Sequence, residues 1–202
     1  LLINELNHRV KNTLATIQSI AALTARRSGS VEDFMRLFEA RLIALSDTHN
    51  LLTANGWEKA RLRDLLIQEF RPYAEDRLRM TGPEVTLGPE QSLSMGLILH
   101  ELVTNAAKYG PLKCPNEAAG WVEVRWSGLD DDGLVSLDWI EHGGPEVEPP
   151  TRTGFGSRLI DTSIRTTLAG SATMDYAAGR LHCRLIFRPG TTKAVEPAEA
   201  QK

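Results

Sequence analysis

Apolar residues near the start of the chain recur with a helical step. Ile3, Leu6, Val10, Thr13, Ile17, Ile20 and Thr24 follow one another at alternating intervals of three and four. That spacing predicts one helix over residues 1–27 with an a/d seam on one side. Ser28-Gly-Ser30 interrupts it. Ser30 suits an N-cap, with Asp33 in the first turn of a second helix that runs to about Leu52. Phe34, Phe38, Leu42, Leu45 and Leu52 fall on one side of that helix. So short a connection makes the two helices an antiparallel hairpin. A lone hairpin buries little surface, so pairing with a second copy into a four-helix bundle is expected.

After Thr53–Gly56, read as a hinge, the pattern changes. Residues Trp57 to Leu62 suggest a short strand. Leu62 to Ala74 suggests a helix with Leu65, Leu66, Phe70 and Tyr73 inward, its end disturbed by Pro72. One or two strands fit Arg77 to Leu87, around Thr81-Gly-Pro83. Pro89 and Glu90 open a long helix that Gly110-Pro111 stops. Trp121 to Trp126 and Leu134 to Glu141 alternate as strands. Between them Asp130-Asp-Asp-Gly133 reads as a turn, not a calcium loop. Glu146–Thr153 is a polar, proline-rich loop. Gly154-Phe-Gly156 leads into a helix to about Leu168. A last hairpin joins Ser171–Tyr176 to Leu181–Phe187. The expected fold is α+β: a helical hairpin (1–55), then helices on one face of a mixed, mostly antiparallel sheet (56–188), then a polar tail (189–202).

Composition narrows the possibilities. With 202 residues, 42% of them apolar, the chain can build one or two real cores. A net charge of −3 with scattered basic residues argues against a nucleic-acid surface. Cys114 and Cys183 lack metal-ligand partners at short spacing, which fits reduced thiols in a cytoplasmic protein. No apolar run is long enough for a membrane span. The abrupt start inside a helix suggests a portion of something longer.

Two polar constellations stand out. Glu101, Asn105 and Lys108 lie at i, i+4 and i+7 on the long helix, one face of an otherwise apolar element. An acid, an amide and an ammonium could hold a cation and a phosphate there. An amphipathic surface helix with a charge pair fits the same spacing. Downstream, Gly143-Gly144 would let backbone approach a flat ring, and Gly154-x-Gly156 opens a helix whose first amides suit phosphate. The second constellation is around His8. With Ile3 as a, His8 is f, facing solvent, with Glu5 at i−3 and Asn12 at i+4. An imidazole so placed is available as a nucleophile, and Glu5 could orient it or take its proton. A solvated surface histidine is the plainer alternative.

Taken together these motifs resemble a known family. Residues from about 56 on are similar to the ATP-binding domain shared by gyrase, heat-shock chaperone, mismatch-repair and histidine-kinase ATPases. Glu5-Leu-Asn-His8-Arg-Val-Lys-Asn12 resembles the dimerisation and phosphotransfer helix of a sensor kinase. His100 beside Glu101, and Trp139-x-Glu141, resemble the features that define the HWE-type histidine kinases. The resemblance implies ATP and Mg²⁺ as cofactors and His8 as phosphoacceptor. It implies Asn105 and Glu101 at the metal, and Lys108, Gly154, Gly156 and Ser157 at phosphate. Glu141, with Gly143 and His100 nearby, stands at the nucleotide, where the broader superfamily has an Asp for the adenine amino group. Arg9 departs from the acid that usually follows the phosphorylated histidine, which leaves Glu5 as the candidate base.

What the resemblance implies about function is autophosphorylation of His8, transfer to an Asp of a response-regulator receiver domain, an upstream sensor domain and a homodimer. Two rivals stay open. One is a nucleotide-binding module that sequesters a partner without phosphorylating itself. The other is an ATP-driven clamp, which the lack of a transducer segment after the sheet disfavours.

Overall fold

The computed structural model describes residues 2–26, 28–54, 56–57, 59–113, 120–146, 155–176 and 180–190, with the side chains of 2–6, 8, 9 and 155 outside that set. Helix α1 spans Leu2–Ala25 and α2 spans Val31–Ala54. Ser30 caps α2 as its position suggests: its Oγ accepts from the Asp33 amide at 3.1 Å. At the far end the Trp57 amide donates to the Leu52 carbonyl at 2.8 Å. Gly56 and Trp57 both take positive φ there (69° and 62°). The segment expected as a hinge is a tight turn, with the Trp57 ring edge-on to His49 at 4.6 Å.

Beyond the turn come β1 (Ala60–Arg61), α3 (Leu62–Phe70), a 3₁₀ turn (Glu75–Arg77), β2 (Leu78–Thr81), β3 (Thr86–Leu87) and α4 (Pro89–Lys108). Strands β4 (Trp121–Trp126) and β5 (Val135–His142), helix α5 (Phe155–Thr166), and strands β6 (Ser171–Asp175) and β7 (His182–Phe187) complete the order. Helix α3 stops four residues before the expected Ala74, because Pro72 has no amide to donate. The first strand is two residues, not six.

Five strands form one sheet in the order β2-β4-β5-β7-β6. Only β2 against β4 is parallel; the other neighbours are antiparallel. The mixed, mostly antiparallel sheet expected from the sequence is therefore present. The β4–β5 connection is a turn held by Asp130, whose Oδ1 accepts from the amides of Leu134 (2.7 Å) and Asp132 (3.0 Å). Along β5, burial alternates strictly: Val135, Leu137, Trp139 and Glu141 face inward. Asp138 faces outward and binds His182 (2.7 Å) and Arg184 (2.8 Å).

Helices α3, α4 and α5 cover the inner face, with Leu99, Leu102, Ile160, Ile164 and Trp139 fully buried. The hairpin joins this core through Ile20, Leu45 and Leu52. Helix α2 crosses α4 where Gly96 lies beneath Thr48, so closely that a Cβ at Gly96 would run into the Thr48 hydroxyl. One expected hairpin contact fails: Leu42 is exposed, and Arg41 beside it is buried instead. Helix α4 docks on the face that carries Arg41, a packing that the apolar pattern of the hairpin could not report.

Candidate functional site

Helix α4 carries the polar stripe, and its surroundings separate the roles of neighbouring residues. Glu101 is buried and its Oε1 receives Arg41 Nε of α2 at 2.7 Å, with both side chains under a tenth exposed. Arg41 also reaches the Leu37 carbonyl at 3.3 Å. The other oxygen of Glu101 faces α5: a Cβ on Gly156 would come within 2.9 Å of Glu101 Oε2 and 3.3 Å of Asn105 Nδ2. Glycine at 156 thus lets the start of α5 pack directly on a carboxylate oxygen and an amide of α4, with no room between them for a side chain. Lys108 lies one turn further along and is exposed. Its ammonium pKa is lowered, chiefly by desolvation and next by the positive charge of Arg36, with Arg41 adding to the effect. Cations from the hairpin therefore stand close to the phosphate side of the stripe.

His100 does not join that stripe. Its Nδ1 lies 3.0 Å from Glu69 Oε2 on α3, and Glu69 is nearly buried. Adjacent residues on α4 point about 100° apart, so His100 ties α4 to α3 while Glu101 ties it to the hairpin. Glu69 thus fixes which way the His100 ring faces. Ser157 likewise turns from α4: its hydroxyl faces Met174 Sδ of β6 at 3.8 Å.

At the end of β5 the inward register puts Glu141 in the core, 3% exposed. Burial pushes its carboxyl up to about 7, against the opposing hydrogen bond from Trp139. Gly110 lies against Glu141 Oε2, closely enough that a Cβ would collide with it. Gly143 and Gly144 have φ of 69° and 78°. A side chain at Gly144 would meet Pro111 Cα at 2.7 Å, so this glycine turn closes on the end of α4. Stripe, Gly156, Gly110, Glu141 and the glycine turn thus line one end of the helix–sheet layer. Gly154 and residues 147–153 lie outside the described residues, as do the side chains of Glu5 and His8.

The hairpin is aligned with α4 in a definite sense. Asn12 Nδ2 donates to Glu90 Oε1 at the start of α4. Thr24 Oγ1 lies 3.5 Å from Arg41, which holds Glu101. Helix α1 therefore runs parallel to α4. His8 lies beyond Asn12, 16 residues of helix from Thr24, roughly 24 Å at 1.5 Å per residue.

The residues present fit a magnesium nucleotide. Glu101 Oε2 is a hard oxygen donor at this end of α4, and the Asn105 amide, which turns its Nδ2 toward Gly156, carries a second on its Oδ1; no group of three or more acidic, histidine or cysteine residues forms a metal cage among the described residues. Magnesium held on nucleotide phosphates typically uses only one or two protein ligands. Three residues escaped the sequence reading: Arg41, Glu69 and Gly110. Gly110 stood there only as a helix stop. Arg41 and Glu69 are separated from their partners by 60 and 31 positions, and no local spacing announces such pairs.

Comparison with known proteins bears on the family and the fold. Residues 5–84 match the family model for the HWE histidine kinase. A blue-light-activated histidine kinase of Brucella ovis is 35% identical over 182 residues, 88% of this chain and 37% of the relative. The Brucella anthropi protein of the same description is equally similar. The chain thus spans little more than a third of the length of these relatives. Among solved structures, the Erythrobacter litoralis blue-light activated histidine kinase superposes with a TM-score of 0.68 at 15% identity, covering 94% of this chain and 61% of that one. Its isolated kinase domain gives 0.62 at 20% identity, over 92% and 90%. At such identities the likeness is one of fold. No described helix is long and apolar enough to cross a membrane. The family is plain: this chain belongs to the HWE histidine kinases.

Proposed function

We propose that the chain is the catalytic core of a sensor histidine kinase that phosphorylates His8 with ATP–Mg²⁺. The carrying observation is the close approach of Gly156, in the first turn of α5, to Glu101 Oε2 and the Asn105 amide of α4. Asn105 and Glu101 would hold the metal ion, which supplies charge neutralisation on the phosphates. Lys108 and the first amides of α5 would bind the same phosphates. Glu141 would accept from the adenine amino group. A ring nitrogen of His8 attacks the γ-phosphorus, the bond to the bridging oxygen breaks, and ADP leaves. The ring proton passes to a base, for which Glu5 one turn earlier is suited. The phosphoryl group then moves to an Asp of a response-regulator receiver domain.

In-line transfer requires the imidazole at the phosphate. With the hairpin docked, His8 stands about 24 Å along α1 from the level of Glu101. The hairpin must therefore swing away through residues 53–56, or the histidine of a second copy must be used. The relatives' length and description support an upstream sensory domain that would drive this change. Incubation with γ-labelled ATP tests the proposal: the label should be acid-labile and base-stable, as phosphohistidine is. Acid-stable label would overturn it. The docked hairpin favours one alternative, a nucleotide-binding module that sequesters a partner without self-phosphorylation; it predicts nucleotide binding with no label at all.

A further inference from the structure

Trp139 and Glu141 stand two apart on β5, so both side chains face the core. The Trp139 indole Nε1–H donates to Glu141 Oε1 at 3.4 Å. Trp139 is completely buried and its ring packs on Phe70 of α3, with centroids 5.8 Å apart and planes at 44°. The direction of its N–H is thus fixed by packing. Glu141 Oε2 meanwhile lies against Gly110, where only the lack of a side chain keeps that oxygen from being covered.

From this geometry we infer that Trp139 is a positioning residue for base recognition: its indole N–H occupies one oxygen of Glu141 and aims the other, over Gly110, at the exocyclic amine of a purine. The inference rests on the reading above that the base lies at Glu141. Glutamate has one more rotatable bond than aspartate, so a carboxylate at its end needs a fixed partner to hold its orientation. Indole is a donor only. It therefore selects the ionised, accepting form of Glu141, the form that can receive a hydrogen bond from an amine.

The other titratable groups facing Glu141 are neutral near pH 7. Burial pushes the Cys183 thiol on β7 up to about 12. Burial likewise raises the Tyr176 phenol. Gly110 and Ala106 at the end of α4 carry no charge, and α3 contributes Phe70, while Glu69 next to it is turned to His100. The Trp139 N–H is the hydrogen bond that opposes the rise caused by burial.

The test is ADP affinity from about pH 5.5 to about pH 8.5, for wild type, Trp139→Phe and Glu141→Gln. Each affinity is taken relative to Glu141→Gln at the same pH, which cancels titration of the nucleotide phosphates. Wild type should bind progressively worse below about pH 7. Trp139→Phe should move that midpoint upward by about one pH unit, giving roughly tenfold weaker binding at pH 6.5 that recovers at pH 8.5. A purely structural loss would weaken binding equally at every pH. An unmoved midpoint in Trp139→Phe, with the limb still abolished by Glu141→Gln, would overturn the inference alone. Equal binding by wild type and Glu141→Gln at every pH would overturn the reading it rests on, and the inference with it. If Trp139→Phe does not fold, 3-benzothienylalanine at position 139 keeps the ring shape without the N–H, and the same midpoint shift is required of it.

Discussion

Arg41 Nε and Glu101 Oε1 meet 2.7 Å apart, buried between the helical hairpin and the helix that carries the polar stripe. Removing one partner of a buried ion pair leaves the survivor uncompensated, a cost of about 3–5 kcal/mol.

Arg41→Ala should therefore release the hairpin from α4. Gly96→Ala should do the same by a different cause, since the added Cβ would collide with Thr48. Hydrogen exchange should show faster exchange along α2 and α4 in both variants. If docking holds His8 away from nucleotide, both should also label faster with ATP than wild type. Unchanged exchange in both would show that the pair does not hold the hairpin in place.

Glu141 trades stability for its position. Its carboxyl ordinarily titrates near 4.5 and is raised to about 7 here. Between those values the folded protein holds a proton that the unfolded chain has lost. Stability at this site is thus full below about pH 4.5 and falls as pH rises to about 7. The difference amounts to on the order of 3 kcal/mol. Glu141→Gln should accordingly be more stable than wild type in denaturant titrations at pH 8 and gain little at pH 5. A gain of equal size at both values would contradict the burial argument.

The two halves of the stripe should fail differently. Asn105→Ala should lose the magnesium dependence of nucleotide binding, measured by titration calorimetry with and without the metal. Lys108→Ala should weaken binding of ATP and ADP by roughly 1–2 kcal/mol while keeping the magnesium dependence, since a partly exposed ammonium acts as a point charge on phosphate.

Apolar residues on the hairpin remain uncovered in the single chain: Val10 and Leu14 on α1, and Met35 and Ile43 on α2 are about half exposed. A homodimer through this face would bury them. Sedimentation should give twice the monomer mass for wild type and a monomer for Leu14→Glu combined with Ile43→Glu. A wild-type monomer at high concentration would remove the dimer from the account.

Much of this was legible from periodicity. The hairpin, α4 and the β4–β5 turn follow from seams of three and four, the Ser30 cap and the Asp130 turn. The alternation along β5 places Glu141 inward and Asp138 outward without any tertiary information. What escaped the sequence were relationships between distant elements. Arg41 stands at the seam's own spacing, three after Phe38 and four before Leu45, but a charged residue does not register in an apolar pattern, and only docking on α4 explains its burial. The His100 contact with Glu69 and the Ser157 contact with Met174 belong to the same kind, since each joins residues on different elements that no local spacing relates.

The central claim is that His8 takes the phosphoryl group from nucleotide bound at Asn105 and Glu141. The most direct measurement is γ-labelled ATP incorporation by wild type and His8→Ala, with nucleotide affinity measured on both. The account predicts acid-labile label on wild type, none on His8→Ala, and equal affinity for the two. Label that persists in His8→Ala would contradict it.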